Sequence, residues 1–148
     1  MPSIRFSDYN AKHYRECLEL FDENCPRYFA VNEKEDYIEF LKSEPSSYLV
    51  GSVGSLLVSA FGLTPEPTTP RGRLTWILVH PKSKGNGIGA QMMSIVKNVA
   101  SEKNFTAIDI AASHLSAPFF KKYGAVELNK ILNGWGENMH RIDMEIKL

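Results

Sequence analysis

The sequence contains few cysteines. Cys17 and Cys25 are the only two in 148 residues, which is too few for the disulfide framework that stabilises small secreted domains. Neither has the spacing or the histidine partners of a zinc site, so we expect no metal, and reduced thiols as in a cytoplasm. The first six residues also lack the basic and apolar regions of a secretory leader.

The chain also lacks an excess of charge of either sign. Lysine and arginine together number 17, as do aspartate and glutamate, so no net field attracts nucleic acid or an anionic membrane. The longest apolar-rich stretch, residues 49–63, is interrupted by glycines and serines. We therefore expect neither nucleic acid nor a membrane among the partners.

The composition is sufficient for one folded domain. Apolar residues make up 43% of the chain, enough to fill one core at this length without metals or disulfides. Residues 1–148 are therefore expected to form a single domain. Its predicted elements are, in order, a strand, two helices, three strands, a helix, a strand, a helix and a last strand. This order indicates an α/β sandwich with a mixed sheet.

The two early helices are predicted from apolar spacing. Residues 14–21 place apolar side chains on one helical face, and Cys25-Pro26 ends that helix. Asn32 and Glu35 resemble a capping box that opens the second helix.

The strands follow from alternation and from turn residues. Residues 48–50 and 55–63 predict an antiparallel hairpin. The proline-rich segment 64–70 cannot continue a ladder, so it predicts a loop at the rim of an active site. The other predicted elements are strands at 4–6, 74–79, 105–112 and 141–148, a helix from Gly87 to about Lys103, and a short helix that Gly124 ends.

A glycine-rich segment joins the strand that ends at Val79 to the helix that begins near Gly87. The alternating glycines of residues 85–89 let the backbone close around a ligand, and the first N–H groups of a helix have no internal partner. The helix dipole adds partial positive charge, and Lys82 and Lys84 add full charges. Together these features predict a cofactor that carries a pyrophosphate.

Three other interpretations of these glycines are less consistent with the sequence. A Walker loop needs a lysine after the glycines, whereas Lys84 precedes them. A dinucleotide fingerprint needs a third glycine at the position of Met92. A simple strand-to-helix turn does not require three alternating glycines behind two lysines.

The segment Val79-His80-Pro81 followed by Lys84-Gly85-Asn86-Gly87-Ile88-Gly89 resembles the signature of the GNAT superfamily of acetyl-CoA-dependent N-acetyltransferases. That signature is V-x-P and then R/Q-x-x-G-x-G/A, with Lys84 at the Arg or Gln position. Residues 113–125 resemble a variant of the second family element, N-x-x-A-x-x-φ-Y followed by Gly-Phe. The order of elements matches over essentially the whole chain. The resemblance implies an α/β sandwich whose central mixed, mostly antiparallel sheet is flanked by helices.

The resemblance further implies that acetyl-CoA is the cosubstrate and that a backbone N–H near Val79 polarises its thioester carbonyl. The implied contacts fall into three groups along the cofactor. They are Leu78, Val79 and His80 at the pantetheine and thioester, Lys84, Gly85, Asn86, Gly87, Ile88, Gly89 and Ala90 at the pyrophosphate, and Ser113, Phe119 and Phe120 at the lower pantetheine.

The chain departs from the family at the catalytic positions. Phe120 replaces the tyrosine that often protonates the leaving thiolate, and Ser113 replaces the asparagine seven residues earlier. His114 and Ser116 remain as candidate catalytic residues, whereas Tyr123 is more typical of a packing residue. The start of the fourth strand has no carboxylate. A positioned water, a histidine and attack by an already neutral amine therefore stay open as the route for the proton.

Aromatic residues are the candidates for acceptor binding. Phe29, Trp76 and Trp135 lie in segments that are expected to surround the acceptor, although Phe29 could instead hold the two early helices together. Trp135 lies between glycines, so we expect it to be exposed in a loop. Glu66 and Glu137 are the carboxylates available in loops for an ammonium group.

The predicted function is therefore N-acetyl transfer from acetyl-CoA to a primary amine of a small molecule or peptide, by direct attack in a ternary complex. A CoA-binding sensor or regulatory module without turnover is an alternative, because the usual acid is absent. A structural domain that binds another anion is a second alternative. The sequence leaves open whether the protein is a monomer or a homodimer.

Overall fold

The computed structural model describes residues 3–83 and 85–148. Over these ranges the chain forms a strand-rich fold with four α-helices. The strands are β1 (Arg5–Asp8), β2 (Tyr48–Val53), β3 (Leu56–Pro65), β4 (Arg71–Val79), β5 (Ala107–Ser113), β6 (Val126–Gly136) and β7 (Met139–Lys147). The helices are α1 (Tyr14–Asn24), α2 (Lys34–Lys42), α3 (Ile88–Glu102) and α4 (Ala117–Lys121).

All of these strands belong to one sheet in the order β1-β2-β3-β4-β5-β7-β6. Neighbouring strands are antiparallel except for the central pair β4 and β5, which are parallel. The predicted mixed, mostly antiparallel sheet is confirmed. The single parallel pair lies at the middle of the sheet, with helices packed on both faces.

Each face of the sheet has its own apolar core. One core joins α3 and α4 to the central strands and includes Met92, Ile108 and Phe120. The other joins α1 and α2 to the opposite face and includes Phe21 and Tyr37. The helical periodicity of the sequence thus predicts which side chains are buried, since the apolar stripe of each long helix faces the sheet.

The parallel pair β4 and β5 is hydrogen bonded over a short length only. Arg71 to Arg73 pair with Ala107 to Asp109, and the register ends there. Residues 74–79 and 110–113 continue as strands without a ladder between them. Every strand residue carries a backbone donor and an acceptor. The facing edges of β4 and β5 therefore present unpaired backbone groups to the gap between the two strands. The two strands therefore diverge into a wedge.

The closed end of the wedge is held by ionic contacts. The Arg71 guanidinium contacts Asp109 on β5 at 2.6 Å and also contacts Glu145 on β7. These contacts raise the pKa of Arg71 further above its usual range, the hydrogen bond to Asp109 being the largest cause. The arginine ties three adjacent strands together at the point where the divergence begins.

A β-bulge in β4 lies inside the wedge. Ala60 pairs with Leu78 and Gly62 with Thr75, so Trp76 and Ile77 oppose the single residue between them on β3. Trp76 has a φ of 40°, a conformation that costs a non-glycine residue about 1 to 3 kcal/mol. The hydroxyl of buried Tyr48 donates a hydrogen bond to the Trp76 carbonyl at 2.5 Å. This bond helps to hold the bulge, which turns β4 side chains toward the gap.

Tyr48→Phe is expected to lower the free energy of unfolding by about 1 to 2 kcal/mol, because the Trp76 carbonyl loses its donor. Urea denaturation measures the loss. Tyr37→Phe is the matched control, since it removes only the hydroxyl that lies 2.9 Å from that of Tyr48 and leaves the bond to Trp76 in place. An equal loss in the two variants would contradict a specific role for the Trp76 bond.

Two predicted elements are corrected. The sequence interpretation has one strand after α4, whereas the structure has the hairpin β6–β7. β6 was missed because it is an exposed edge strand with register shifts, so its apolar residues do not alternate. The segment 64–70 is a loop only from residue 66, since β3 extends to Pro65. It lies at the closed end of the wedge, away from the gap.

The predicted capping box of Asn32 and Glu35 does not form, and a related contact lies two residues earlier. A short 3-10 turn, Val31–Glu33, precedes α2. The Glu33 carboxylate accepts a hydrogen bond from the Ala30 N–H at 2.7 Å, and the Glu33 N–H donates to the Ala30 carbonyl at 3.0 Å. Asn32 instead donates its side-chain N–H to the Trp135 carbonyl, which ties this turn to β6.

None of the helices within the described ranges is long and apolar enough to cross a membrane.

Candidate active site

A cavity of about 550 Å³ occupies the wedge between β4 and β5. It extends from the turn before α3 to the segment that joins α1 and α2. Its lining residues are Asn24, Tyr28, Phe29 and Glu33 before α2, Arg73 to Ile77 and Val79 on β4, Ser83, Gly85 and Gly89 near α3, Ile110 to Ser113 on β5, Leu115, Ser116, Phe119, Phe120 and Lys122 around α4, and Trp135 on β6.

One end of the cavity meets the start of α3. Gly85 and Gly87 have φ values of 87° and 80°, in the left-handed region that favours glycine. Gly87 precedes the helix and no side chain caps it. The first intrahelical bond is from the N–H of Gln91 to the Gly87 carbonyl, so the N–H groups of residues 88–90 have no helical acceptor. This end of the cavity can bind an anion. Lys84 lies outside the described residues.

Gly89 has a steric role in the same turn. A Cβ at this position would lie 2.5 Å from a ring carbon of Phe119. The absence of a side chain therefore lets Phe119, which lines the cavity, pack directly on the first turn of α3. The turn and α4 together form the wall at this end.

The backbone of Val79 faces the gap. The N–H of His80 donates to the Val58 carbonyl on β3 at 2.7 Å, and Val79 pairs with Ser59 in the same register. Hydrogen-bonded and non-bonded pairs alternate along antiparallel strands. The N–H and C=O of Val79 consequently point away from β3 and toward β5, and its N–H can donate to a ligand in the wedge.

Ser113 and Ser116 bind each other. The Ser116 hydroxyl accepts from the Ser113 N–H at 3.0 Å, and the Ser116 N–H donates to the Ser113 hydroxyl at 3.1 Å. The two hydroxyls are 3.1 Å apart. Both residues line the cavity, but this mutual pairing stabilises the turn between β5 and α4.

Two predicted histidines do not line the cavity. Nδ1 of His114 accepts a hydrogen bond from the N–H of His140 on β7, and the two imidazole rings are 4.7 Å apart. Nδ1 of His80 accepts from the N–H of Lys82. Neither imidazole is placed by these contacts to take a proton from a molecule in the wedge.

The structure brings many of the other predicted residues together. Val79, Gly85, Gly89, Ser113, Ser116, Phe119, Phe120, Phe29, Trp76 and Trp135 line the cavity, whereas Leu78, Asn86, Gly87, Ile88 and Ala90 do not. The Leu78 side chain is buried in the core of the opposite face, and Ile88 in the core against α3. Asn86, Gly87 and Ala90 are exposed around the turn.

Trp135 is not in an exposed loop, which corrects the sequence expectation. It lies near the end of β6 and is partly buried. Its indole N–H donates to the Ala112 carbonyl on β5 at 2.9 Å, and the Arg141 guanidinium lies 5.2 Å from its ring centre. The side chain is held against the end of β5 and lines the wedge.

Glu33 is the cavity residue that sequence reasoning missed. It is 6% exposed, and burial raises the pKa of its carboxyl to about 7. The fourth strand has no carboxylate at its start, whereas Glu33 comes from the turn before α2. The sequence has no capping-box signal for Glu33, because Ala30 lacks the side-chain acceptor that the motif requires.

The two loop carboxylates take other positions. Glu66 is paired with Arg73 at 3.2 Å, and Glu137 lies in the turn between β6 and β7. Neither lines the cavity. Within the described ranges no three metal-ligating side chains converge.

Comparisons with known proteins agree with this geometry. The model of the acetyltransferase (GNAT) family matches residues 14–125, and no curated protein matches the sequence. Ard1 from Thermoplasma volcanium has a TM-score of 0.81 at 16% identity, with 98% of this chain and 97% of that chain covered. The protein yncA from Salmonella typhimurium, solved with its cofactor acetyl-CoA, has a TM-score of 0.75 at 10% identity, with 99% of this chain and 94% of that chain covered.

An aminoglycoside 6′-N-acetyltransferase, solved with coenzyme A, has a TM-score of 0.75 at 14% identity, with 97% of this chain and 96% of that chain covered. At these identities the likenesses show a shared fold.

Proposed function

The chain belongs to the acetyltransferase (GNAT) family, and we propose that it moves the acetyl group of acetyl-CoA to a primary amine of a small molecule or peptide. The observation that carries the proposal is the wedge, which has an anion-binding turn at one end and a buried carboxylate at the other. A cosubstrate with a diphosphate at one end and a thioester at the other fits a cavity of this polarity.

Three features of the chain fit acetyl-CoA. The unpaired N–H groups of residues 88–90, with the helix dipole behind them, would hold the diphosphate. The unpaired edges of β4 and β5 would bind the amides of the pantetheine arm. Phe119 and Phe120 give the cavity an apolar wall beside them. The bound cosubstrate would supply an activated acetyl group.

The Val79 N–H would stabilise the charge that develops during acyl transfer. A donor that already points into the gap requires no reorganisation as an oxyanion forms, and such donors contribute strongly to catalysis in acyl transfer. Phe120 offers no proton for the departing sulfur. A thiol has a pKa of about 8.5 in water, so a thiolate can leave near neutral pH without a strong acid.

Similar folds are named for acceptors that are amines. They include an aminoglycoside 6′-N-acetyltransferase, a ribosomal-protein-alanine N-acetyltransferase from Brucella melitensis and a NatC complex bound to Gag peptide. The amine class of acceptor is carried to this chain as part of the proposal. Direct attack in a ternary complex is proposed because the described cavity has no cysteine that could carry the acetyl group.

Release of free thiol from acetyl-CoA in the presence of a panel of primary amines tests the proposal. We expect one acetylated amine for each thiol released, and no acetylated protein by mass spectrometry when the amine is omitted. Acetyl-CoA binding without turnover on any amine would favour the sensor alternative. A covalently acetylated chain that forms without amine would contradict direct attack.

A further inference from the structure

Glu33 has a carboxylate oxygen that is available to a ligand. The residue lines the cavity and is 6% exposed. Oε2 accepts the hydrogen bond from the Ala30 N–H at 2.7 Å, and Oε1 has no hydrogen-bond partner among the residues that the structure describes. Buried carboxylates are normally paired. A carboxylate held at a fixed position on one oxygen and open on the other suits a cationic ligand.

The surroundings of this carboxylate are aromatic. Phe29 stacks on Trp76, with ring centres 6.1 Å apart, and Trp135 is fixed by its bond to the Ala112 carbonyl. All three rings line the cavity with Glu33. Because the rings are anchored, an apolar group can pack on them without first ordering them.

Among the residues that the structure describes, Glu33 has no strong cationic partner. Burial raises the pKa of Glu33, the hydrogen bond from the Ala30 N–H lowers it, and Asp36 in α2 adds a smaller increase. Cys25 and Tyr28 face it from the connection after α1. Arg73 lies across the cavity but is paired with Glu66. The carboxylate can therefore bind an ammonium ion and hold a proton near neutral pH.

We propose that Glu33 binds the ammonium group of the acceptor and takes its proton, and that this amine is carried on an apolar body that packs on Phe29, Trp76 and Trp135. The inference rests on the proposed function and names the acceptor class for the same site. Glu33 is the better-placed proton acceptor because His114 and His80 do not line the cavity and Ser116 is paired with Ser113.

The proton balance is simple. The ionised Glu33 takes one proton from the ammonium, and the neutral nitrogen attacks the thioester carbon. A C–N bond forms and the C–S bond breaks, and the thiolate leaves with the electron pair. The second nitrogen proton is lost as the intermediate collapses and is taken by the thiolate. Glu33 returns its proton to solvent before the next cycle.

Steady-state thiol release by the wild-type protein, Glu33→Gln and Glu35→Gln tests the catalytic half of the proposal. With 2-phenylethylamine as the probe, Glu33→Gln is expected to lower kcat/KM at least 100-fold, a typical contribution of a general base. Its dissociation constant for acetyl-CoA should not change. Glu35→Gln alters an exposed residue at the start of α2, two positions after Glu33, and should retain wild-type kinetics.

The pH profile distinguishes a proton acceptor from a structural residue. The wild-type kcat/KM is expected to have an acidic limb near pH 7, where Glu33 ionises. In Glu33→Gln that limb should vanish, and the residual rate should follow the ionisation of the amine itself. An unchanged limb, or an unchanged kcat/KM, would overturn the assignment of Glu33.

Binding measures the acceptor class independently of turnover. In the presence of saturating CoA, 2-phenylethylamine should bind the wild-type protein at least tenfold more tightly than ethanolamine, and at least tenfold more tightly than it binds Glu33→Gln. The binding of a tetrapeptide that begins with phenylalanine is compared with that of one that begins with serine. Tight binding of the phenylalanine peptide would identify a peptide N-terminus as the acceptor, whereas tight binding of 2-phenylethylamine alone would identify a small free amine. If 2-phenylethylamine binds no more tightly than ethanolamine, and the phenylalanine peptide no more tightly than the serine peptide, the proposal that the acceptor has an apolar body would be overturned.

These outcomes separate the two proposals. A wild-type protein that binds no acetyl-CoA would fail the proposed function itself. If the wild-type protein and Glu33→Gln acetylate amines at the same rate, the proposed function would stand and the assignment of Glu33 would be overturned.

Discussion

Glu33→Gln is expected to make the protein more resistant to urea at pH 8 than the wild-type protein, and no more resistant at pH 4. The carboxyl has a pKa of about 7 in the folded chain, against 4.5 when it is not buried. The folded state therefore holds this proton more tightly than the unfolded state. Glutamine cannot ionise, yet its side-chain carbonyl can still accept the hydrogen bond from the Ala30 N–H.

The sign follows from proton linkage. Below pH 4.5 the carboxyl is protonated in both states, and the wild-type protein keeps its full stability. Between pH 4.5 and 7 only the unfolded state ionises, so wild-type stability falls as the pH rises, and above pH 7 the loss is complete. The expected advantage of the variant is on the order of 3 kcal/mol at pH 8.

Urea denaturation of both proteins at pH 4, 6 and 8 measures this difference. Glu35→Gln again serves as the control for the loss of one negative charge near the start of α2. A constant difference between Glu33→Gln and the wild-type protein across the three pH values would contradict a buried, ionising Glu33. The same variant thus gains stability at alkaline pH where it is expected to lose activity.

Ala90→Glu is expected to weaken acetyl-CoA binding at least tenfold while leaving the fold intact. Ala90 is exposed in the first turn of α3, which contains no acidic residue. A carboxylate about 8 Å from a diphosphate charge is repelled by about 2 kcal/mol at an effective dielectric constant of 20. The same carboxylate interacts favourably with the helix dipole, by about 0.3 to 1 kcal/mol.

A thermal-shift series with acetyl-CoA measures both the strength of ligand binding and the stability of the fold. At a hundred times its dissociation constant, the ligand should stabilise the wild-type protein by about 2.7 kcal/mol, and the same concentration should stabilise Ala90→Glu less. Ser94→Glu, an exposed position one turn further along α3, controls for charge outside the first turn. Equal ligand-induced shifts in the three proteins would contradict a diphosphate site at this turn.

The glycine-rich turn before α3 could be predicted from sequence because its determinants are local. A strand end, alternating glycines and a helix start lie within a dozen consecutive residues. The backbone positions that glycine favours are then fixed by the turn itself, as the positive φ values of Gly85 and Gly87 show. Helix α1 and the hairpin β2–β3 are predictable for the same reason.

The acceptor end could not be predicted in the same way because it is assembled from distant segments. Glu33, Trp76 and Trp135 come together only when the turn before α2 packs beside the diverging strands. The local periodicity of the sequence does not predict the contact between this turn and the strands. The sequence pattern around Trp135 indicated a loop, since glycines flank it, whereas edge-strand pairing with β7 overrides that signal.

The predicted catalytic residue His114, which does not line the cavity, shows a second limit of sequence reasoning. The position of His114 just after β5 is close to the cavity along the chain, yet its ring contacts His140 on the neighbouring strand. Which way a side chain points after a strand depends on the turn that follows, here the mutual pairing of Ser113 and Ser116. Sequence proximity to a site does not determine that direction.

Calorimetric titration of the wild-type protein with acetyl-CoA tests the central claim most directly. The wedge with its anion-binding turn predicts micromolar binding of one ligand per chain, accompanied by the negative heat-capacity change that burial of apolar surface produces. The absence of heat up to millimolar ligand, at more than one temperature, would contradict the assignment of this cavity to acetyl-CoA.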